Sequence, residues 1–171
     1  MEDRIICDEI YQKIDPRGNL LDVGCGEGYL VNCLARKLNR KVVGLDISDM
    51  EFANAHKWCK KFDTCGLIEC RKGDARRIDK YFDAGSFNTV TLVYTLHHID
   101  RPMIALPKIR KILRDKGKII VGDYWFTERK RKSDCYRFTP AHIRNLLIRA
   151  GFRYLGADRI EKNFVLMVGE K

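Results

Sequence analysis

The most informative absence in this sequence is that of a long hydrophobic run. No apolar stretch approaches the roughly 20 residues that a transmembrane helix requires. The N-terminus begins acidic and passes into an amphipathic pattern, without the features of a secretory signal. Internal repeats, low-complexity tracts and linker-like segments are also missing. These absences predict one domain over residues 1–171, with no membrane span and a cytoplasmic location.

The cysteines lack the paired spacing that zinc ligands usually show. Seven occur, at positions 7, 25, 33, 59, 65, 70 and 135, and no two form a Cys-x-x-Cys pair. Because no export signal is visible either, we expect reduced thiols that serve mostly as small core residues. We therefore predict that the protein holds no metal.

Charge, by contrast, is abundant and unbalanced. The 33 lysines and arginines exceed the 23 acidic residues, which gives a net charge of +10 at pH 7. Such a charge favours an anionic partner such as nucleic acid, an acidic protein or a lipid surface. A lysine- and arginine-rich surface of the thermophilic kind would give the same number without that partner. The charge alone leaves both interpretations open.

Strand-like and helix-like patterns alternate along the chain. Five predicted strands, separated by segments with helical spacing, cover residues 19–23, 41–45, 67–70, 87–94 and 118–124. A short helix is predicted before the first strand. Two last strands, at 152–155 and 163–168, are close enough to form an antiparallel hairpin. This order predicts an α/β fold, a doubly wound Rossmann-like sheet with helices on both faces.

Local signals predict where the helices begin. Ser48 or Asp49 is expected to cap the helix after the second strand, and Asp100 the helix after the fourth. Pro107 should kink that helix or delay its start. Thr139 precedes a proline and is expected to open the helix before the final hairpin.

One stretch, LLDVGCGEGYL at residues 20–30, joins a predicted strand to a predicted helix through glycines on alternate positions. Glycine permits a positive φ and lets a ligand approach the backbone closely. In doubly wound sheets, ligands bind beyond the carboxyl ends of the strands. Asp46, Asp74 and the segment 94–98 fall at such ends here. A glycine loop alone is also compatible with an ordinary strand-to-helix turn.

The glycine spacing disfavours a dinucleotide. Gly24 and Gly26 match the Gly-x-Gly-x-x-Gly fingerprint, but the third glycine comes one position early, at Gly28. This argues against a nicotinamide-dependent oxidoreductase. The carboxylate of Asp46 is placed to accept hydrogen bonds from both ribose hydroxyls. The carboxylate of Asp74 is placed to accept one from the exocyclic amine of an adenine. The site therefore suits an adenosine, although either aspartate alone is more often a helix cap.

In this order, the motifs at 22–28, Asp46, 73–75 and 96–100 resemble those of class I S-adenosylmethionine-dependent methyltransferases. The subgroup resembled is type 11, which includes quinone-biosynthesis methyltransferases. The resemblance covers roughly residues 5–170 and is specific for fold and cofactor but not for substrate. It implies a seven-stranded sheet whose last strand is antiparallel. It also implies S-adenosylmethionine as cofactor and S-adenosylhomocysteine as product.

The resemblance assigns contacts to that cofactor. The loop glycines would lie against its methionine part, Asp46 would hold the ribose, and Asp74 with Ala75 the adenine. The backbone near Val93 and Tyr94 would face the amino group. The candidate cofactor-binding residues are Asp22, Gly24, Cys25, Gly26, Gly28, Tyr29, Asp46, Ile47, Gly73, Asp74, Ala75, Val93 and Tyr94.

Methyl transfer from a sulfonium is an in-line displacement in which positioning carries most of the rate. A general base helps only when the acceptor atom carries a proton. His97 and His98 end the predicted fourth strand and are the candidates for that base, because imidazole titrates near neutral pH. The alternative is that both histidines only shape the pocket.

The acceptor side is predicted to lie around residues 125–138, where four consecutive basic residues, 129–132, are flanked by aromatics. Basic side chains hold phosphates and aromatic ones stack on bases, although a solvated loop is equally compatible. The candidate substrate residues are Tyr124, Trp125, Arg129 and Arg131.

These observations predict a methyltransferase with a small-molecule acceptor, as the subgroup resembled implies. RNA or an acidic protein is the alternative acceptor, from the charge. A second alternative is a cofactor-binding subunit that is inactive alone. We expect a monomer or a homodimer whose pocket is open or is closed by the leading helix, the 124–139 segment or another subunit.

Overall fold

The computed structural model describes residues 2–124, 138–161 and 163–171. The strands are β1 (Leu20–Val23), β2 (Val42–Asp46), β3 (Ile68–Lys72), β4 (Phe87–Val93), β5 (Leu113–Tyr124), β6 (Arg153–Glu161) and β7 (Phe164–Glu170). The α-helices are α1 (Glu2–Tyr11), α2 (Tyr29–Leu38), α3 (Phe52–Phe62), α4 (Pro102–Ile112) and α5 (Pro140–Arg149). Short 3₁₀ helices lie at Ala75–Lys80 and Leu96–His98.

The strands form one seven-stranded sheet in the order β3-β2-β1-β4-β5-β7-β6. Strands β1 to β5 pair in parallel, and β7 runs antiparallel to both β5 and β6. The predicted α/β fold and the antiparallel last strand are confirmed. The strand order reverses between β1 and β4, and such a reversal opens a crevice at the carboxyl ends of the strands.

The sheet has a hydrophobic core on each face. Successive side chains of β5 alternate between them: Ile119 and Val121 belong to the core with α4 and α5, and Ile120 to the core with α1 and α2. Helices therefore cover both faces, as predicted. None of the helices in the described ranges is long and apolar enough to cross a bilayer.

Helix α1 is linked to α2 by a disulfide and by buried side chains. Ile6 and Ile10 are buried, and Cys7 is joined to Cys33 by a disulfide with a Cα–Cα distance of 6.5 Å. A second disulfide joins Cys59 to Cys65. The expectation of reduced thiols is wrong for these four cysteines. Helix packing brings together residues that are 26 positions apart, which no sequence spacing reveals.

Two of the expected helix caps are also wrong. Glu51 occupies the N-cap position of α3, while Asp49 instead pairs with Lys72 at 3.0 Å. The N-cap position of helix α4 is occupied by Arg101 and not by Asp100 as expected, and Arg101 has a left-handed conformation with a φ of 54°. Pro107 lies inside α4 and does not delay its start. Thr139 caps α5 as predicted, and its side chain accepts a hydrogen bond from an amide in the first turn.

Candidate functional site

The glycine loop connects β1 to α2 with a positive φ at all three glycines: 74° at Gly24, 48° at Gly26 and 77° at Gly28. A side chain at Gly24 would collide with Thr95, and one at Gly28 would come within 2.6 Å of Ala55. A side chain at Gly26 would meet nothing within 4 Å. The outer glycines are therefore required by packing, whereas the middle one faces open space that a ligand can enter.

Asp46 ends β2 and holds the glycine loop in place. Its Oδ2 accepts a hydrogen bond from the Gly26 amide at 2.8 Å, and its Oδ1 accepts one from the Ser48 amide at 3.0 Å. A carboxylate has about four acceptor positions, so two remain for the hydroxyls of a sugar. The same side chain thus shapes the loop and faces the crevice.

Asp74 follows β3 and is bound by Arg76. Its Oδ1 accepts from the Arg76 amide at 2.8 Å, and its Oδ2 accepts from Nη2 of the guanidinium at 2.8 Å. The hydrogen bonds from Arg76 lower the pKa of Asp74, which therefore stays ionised. Arg76 also reaches Asp100 at 3.4 Å. Asp74 acts as a helix cap. An amine that donates a hydrogen bond to Asp74 therefore shares its carboxylate with the Arg76 guanidinium.

These strand ends enclose a cavity of about 540 Å³. It lies where the strand order reverses, and its size suits a nucleoside-sized ligand. The predicted site residues that line it are Gly24, Asp46, Ile47, Gly73, Asp74, Ala75, Tyr94 and His98. Lining residues that the sequence interpretation did not single out as cofactor contacts are Val23, Leu45, Arg76, Thr95, Ile99 and Asp100. Val23, Ile99 and Asp100 lie inside the motifs at 22–28 and 96–100. Leu45, Arg76 and Thr95 each adjoin a predicted residue, and that position was their signal in the sequence.

Six other predicted residues are not among those that line the cavity, and two of them, Asp22 and Cys25, are buried. Asp22 is 3% exposed and its Oδ1 accepts a hydrogen bond from Thr91 at 2.6 Å. Burial raises the pKa of Asp22 to about 7, against the opposing effect of that hydrogen bond. Cys25 is buried, and its thiol contacts that of Cys70. The set that is not among the lining residues is Asp22, Cys25, Gly26, Gly28, Tyr29 and Val93.

Tyr94 has an unusual backbone at the end of β4. Its φ is 55°, a left-handed value that is uncommon for an aromatic residue and is often found at functional sites. Its amide donates to the Gly122 carbonyl at 2.8 Å, which fixes the turn. Its ring packs against Tyr124 at 5.0 Å and Phe164 at 4.9 Å between centroids. The turn brings this aromatic side chain to the cavity.

The two histidines differ in their surroundings. His98 lines the cavity, and burial together with His97 lowers its pKa, so it is neutral at pH 7. His97 is not among the lining residues, but its ring centroid lies 4.0 Å from that of His98. Nδ1 of His97 lies 2.8 and 2.9 Å from the two carboxylate oxygens of Asp123. Asp123 was not predicted, because it reads as the polar end of a strand.

One of the candidate substrate residues, Tyr124, lies within the described residues. Tyr124 is 37% exposed and stands beside Tyr94. Trp125, Arg129 and Arg131 lie outside the described residues.

A family model described as a methyltransferase domain matches residues 21–121, more than half of the chain. The chain therefore belongs to this methyltransferase family. It is 30% identical over 114 residues to a sterol 24-C-methyltransferase from Saccharomyces cerevisiae, an alignment that covers 66% of this chain and 29% of the yeast protein. The chain spans less than half the length of the curated relatives that it first matches.

Solved structures with very different sequences share the fold. A [4+2]-cyclase superposes with a TM-score of 0.86 at 14% identity, covering 98% of this chain and 81% of that chain. An S-adenosylmethionine-dependent methyltransferase from Aquifex aeolicus gives 0.80 at 14% identity, covering 96% and 88%. The family and the fold imply S-adenosylmethionine as the cofactor.

Proposed function

We propose that this chain transfers a methyl group from S-adenosylmethionine to a small-molecule acceptor. One observation carries the proposal: in a member of the methyltransferase family, the crevice at the strand reversal presents Asp46 and Asp74 beside an open glycine loop. When bound, the cofactor supplies an electrophilic methyl group on a sulfonium. The protein supplies position, which is the main requirement of an in-line displacement.

The residues present fit that cofactor. Asp46 would hold the ribose hydroxyls, and Asp74 and the Ala75 amide would hold the adenine. Ile47 is 66% exposed although apolar, and it lines the cavity, which supplies a wall for an aromatic base. The open space at Gly26 would admit the methionine part. Val93 and Tyr94 would complete the site at the end of β4.

The small-molecule acceptor is supported by the type 11 resemblance and by the yeast relative, whose name specifies a sterol. RNA or an acidic protein, favoured by the charge of +10, is the alternative acceptor. As part of the proposal, the chain acts as a monomer or a homodimer.

A labelled-methyl experiment distinguishes these acceptors. The protein is incubated with methyl-labelled S-adenosylmethionine and a cell extract, which is then separated into RNA, protein and small molecules. We expect label in the small-molecule fraction. Label in RNA would favour the alternative, and neutralising residues 129–132 should then flatten the salt dependence of RNA binding.

A second candidate function is cofactor binding without methyl transfer. The chain superposes on a [4+2]-cyclase, and one fold can host different chemistries, which supports this second candidate. It predicts that the protein binds S-adenosylmethionine but leaves every fraction unlabelled.

The cofactor arrangement has its own test, Asp46→Ala. Loss of the carboxylate should weaken the binding of S-adenosylhomocysteine at least tenfold, about 1.4 kcal/mol, in a calorimetric titration. Asp49→Ala is the matched control, because Asp49 lies three residues away, pairs with Lys72 and is not among the lining residues. Equal affinity in the Asp46 variant and the wild type would remove Asp46 from the site.

A further inference from the structure

Two free cysteine thiols meet beside the glycine loop. Of the cysteines that the structure describes, Cys25 and Cys70 are the two outside disulfides. Cys25 lies between two glycines of the loop and is 7% exposed. Cys70 belongs to β3, at the edge of the sheet, and is half-buried. Their side chains are in hydrogen-bond contact, and neither thiol has a part in the proposed methyl transfer.

Gly44 makes this contact possible. It pairs in register with Cys70, so the side chain of Cys70 leaves the sheet on the face where Gly44 has none. A Cβ at Gly44 would lie 2.7 Å from Sγ of Cys25. The thiol of Cys25 therefore fills the space that a side chain at Gly44 would take. Cys25 is part of the hydrophobic core on this face, and Cys70 packs against that core.

The loop around Cys25 is held to the end of β2. The Gly24 amide donates to the Leu45 carbonyl at 2.7 Å. The Gly26 amide donates to the Asp46 carboxylate at 2.8 Å. A disulfide bond is about 2.05 Å long, much shorter than a hydrogen bond between thiols, so its formation draws Cys25 towards β3 and shifts the loop on both sides of it. This loop and this carboxylate belong to the cofactor site.

The two thiols differ in reactivity. Cys70 is the more exposed of the two. Cys25 donates a hydrogen bond that lowers the pKa of the Cys70 thiol, against the effect of burial. The same hydrogen bond and burial raise the pKa of Cys25. Because the thiolate is the reactive form of cysteine, an oxidant reacts first with Cys70, and Cys25 is the thiol that resolves the product.

We propose that Cys25 and Cys70 form a reversible disulfide, and that this disulfide weakens the binding of S-adenosylmethionine. The inference rests on the cofactor site of the proposed function and not on the identity of the acceptor. The oxidant is hydrogen peroxide.

The oxidation takes two steps. Sγ of Cys70 attacks one peroxide oxygen, the O–O bond breaks, and the other oxygen takes the thiol proton and leaves as water. Sγ of Cys25 then attacks the sulfur of the resulting sulfenic acid, the S–O bond breaks, and a second water leaves with the proton of Cys25. The two thiols thus give up two electrons and two protons, and one peroxide becomes two waters.

The other cysteines indicate why this disulfide is reversible. Cys7–Cys33 and Cys59–Cys65 are closed while the loop keeps the geometry described above. A disulfide that strains its surroundings has a higher reduction potential and is reduced more easily than an unstrained one. Because the Cys25–Cys70 disulfide requires a shifted loop, a dithiol should reduce it before the other two.

The test counts thiols and measures affinity in the same samples. The parent protein carries Cys135→Ser, so that the counted thiols belong to Cys25 and Cys70. Hydrogen peroxide should remove both thiols, and peptide mapping should find the two residues joined. In a calorimetric titration, oxidation should weaken the binding of S-adenosylhomocysteine by about tenfold or more. A dithiol should restore both the thiols and the affinity.

Cys70→Ser and Cys70→Ala are the matched variants, since Cys70 is not among the residues that line the cavity. Neither variant can form the disulfide, so both should bind S-adenosylhomocysteine as tightly as the reduced parent, before and after peroxide. Replacing Cys59 and Cys65 with alanine is the control for disulfide changes elsewhere, and this variant should keep the full response to peroxide.

The linkage between oxidation and binding gives a second measurement. If oxidation weakens cofactor binding tenfold, saturating cofactor disfavours oxidation by the same factor. For a two-electron couple a factor of ten corresponds to about 30 mV, so saturating S-adenosylhomocysteine should raise the reduction potential of the pair by about 30 mV. Equilibration in a series of dithiol–disulfide buffers measures the shift.

The contrary outcomes separate this inference from the proposed function. Thiols that survive peroxide, a joined pair with unchanged or tighter binding, or an equal loss of affinity in the Cys70 variants would overturn the disulfide switch and leave the methyl transfer intact. A reduced parent protein that does not bind S-adenosylhomocysteine would overturn the cofactor site of the proposed function, and this inference with it.

Discussion

Asp22 lies beneath the glycine loop with a pKa raised to about 7, and burial is the main cause. In the unfolded chain its pKa returns to about 3.8, so between these values the folded state holds one more proton than the unfolded state. The contribution of Asp22 to stability is therefore complete below about pH 4 and is lost as the pH rises through about 7. Asp49, Glu69 and Asp74 have lowered pKa values and act in the opposite direction.

Replacing Asp22 with asparagine should remove this pH dependence. Between pH 5 and pH 8, the free energy of unfolding of Asp22→Asn should rise relative to the wild type by about 3 kcal/mol, because roughly two pH units of unequal protonation disappear. Urea unfolding at the two pH values measures the difference. Asp115→Asn is the control, since its side chain is 98% exposed. Parallel curves for wild type and Asp22→Asn would show that Asp22 titrates normally.

For single residues, the sequence predicted some of those that line the cavity and missed others. Asp46, Asp74 and Tyr94 are recognisable because each ends a strand whose pattern is clear, and all three line the cavity. Asp123 and His97 meet only because β4 and β5 are neighbours in the sheet. Their contact depends on strand order, which the hydrophobic pattern of each strand does not contain.

Among the elements, α1 is joined to its neighbour by a covalent link. It packs on α2 through Cys7–Cys33, which closes a loop of 26 residues, whereas Cys59–Cys65 closes a loop of only 6. In the chain-entropy model, a longer closed loop removes more disorder from the unfolded state. The two disulfides should therefore differ in their contribution to stability.

The difference is measurable by urea unfolding with and without a reductant. The model gives roughly 3 to 4 kcal/mol for Cys7–Cys33 and about 2 kcal/mol for Cys59–Cys65. A variant with alanine at 7 and 33 should therefore lose more stability than one with alanine at 59 and 65. The first variant should also respond less to reductant than the wild type does. Equal losses in the two variants would contradict the loop-length explanation.

The elements themselves were largely predictable, because alternating and helical spacings report which faces are buried. The start of β5 was not. Leu113 pairs with Phe87, and the register shifts before Lys118 pairs with Thr89. The predicted fifth strand began only at residue 118, and Lys116, just before it, has a φ of 62°. A positive φ beside a glycine is typical both of a turn and of an irregular strand. Only the pairing with β4 shows that residues 113–117 belong to the strand.

For the whole molecule, the alternation of strands and helices predicts a doubly wound sheet but not the order of its strands. The resemblance added the direction of the last strand, which is antiparallel as β7 shows, and the order came from the structure. The resulting crevice collects residues from 23 to 100 at one edge of the sheet. Because those residues come together only in the folded chain, a ligand of the crevice has no counterpart site in the unfolded state.

This dependence predicts a thermal shift for the intact protein. A ligand at 100 times its Kd that binds only the folded state stabilises it by about 2.7 kcal/mol. For a chain of this size, each kcal/mol raises Tm by about 2–4 °C, so S-adenosylhomocysteine should raise Tm by roughly 5–10 °C. NAD at the same concentration should leave Tm unchanged, because the third glycine of the dinucleotide fingerprint is out of place. Stabilisation by NAD alone would replace the adenosyl-methionine assignment with a dinucleotide.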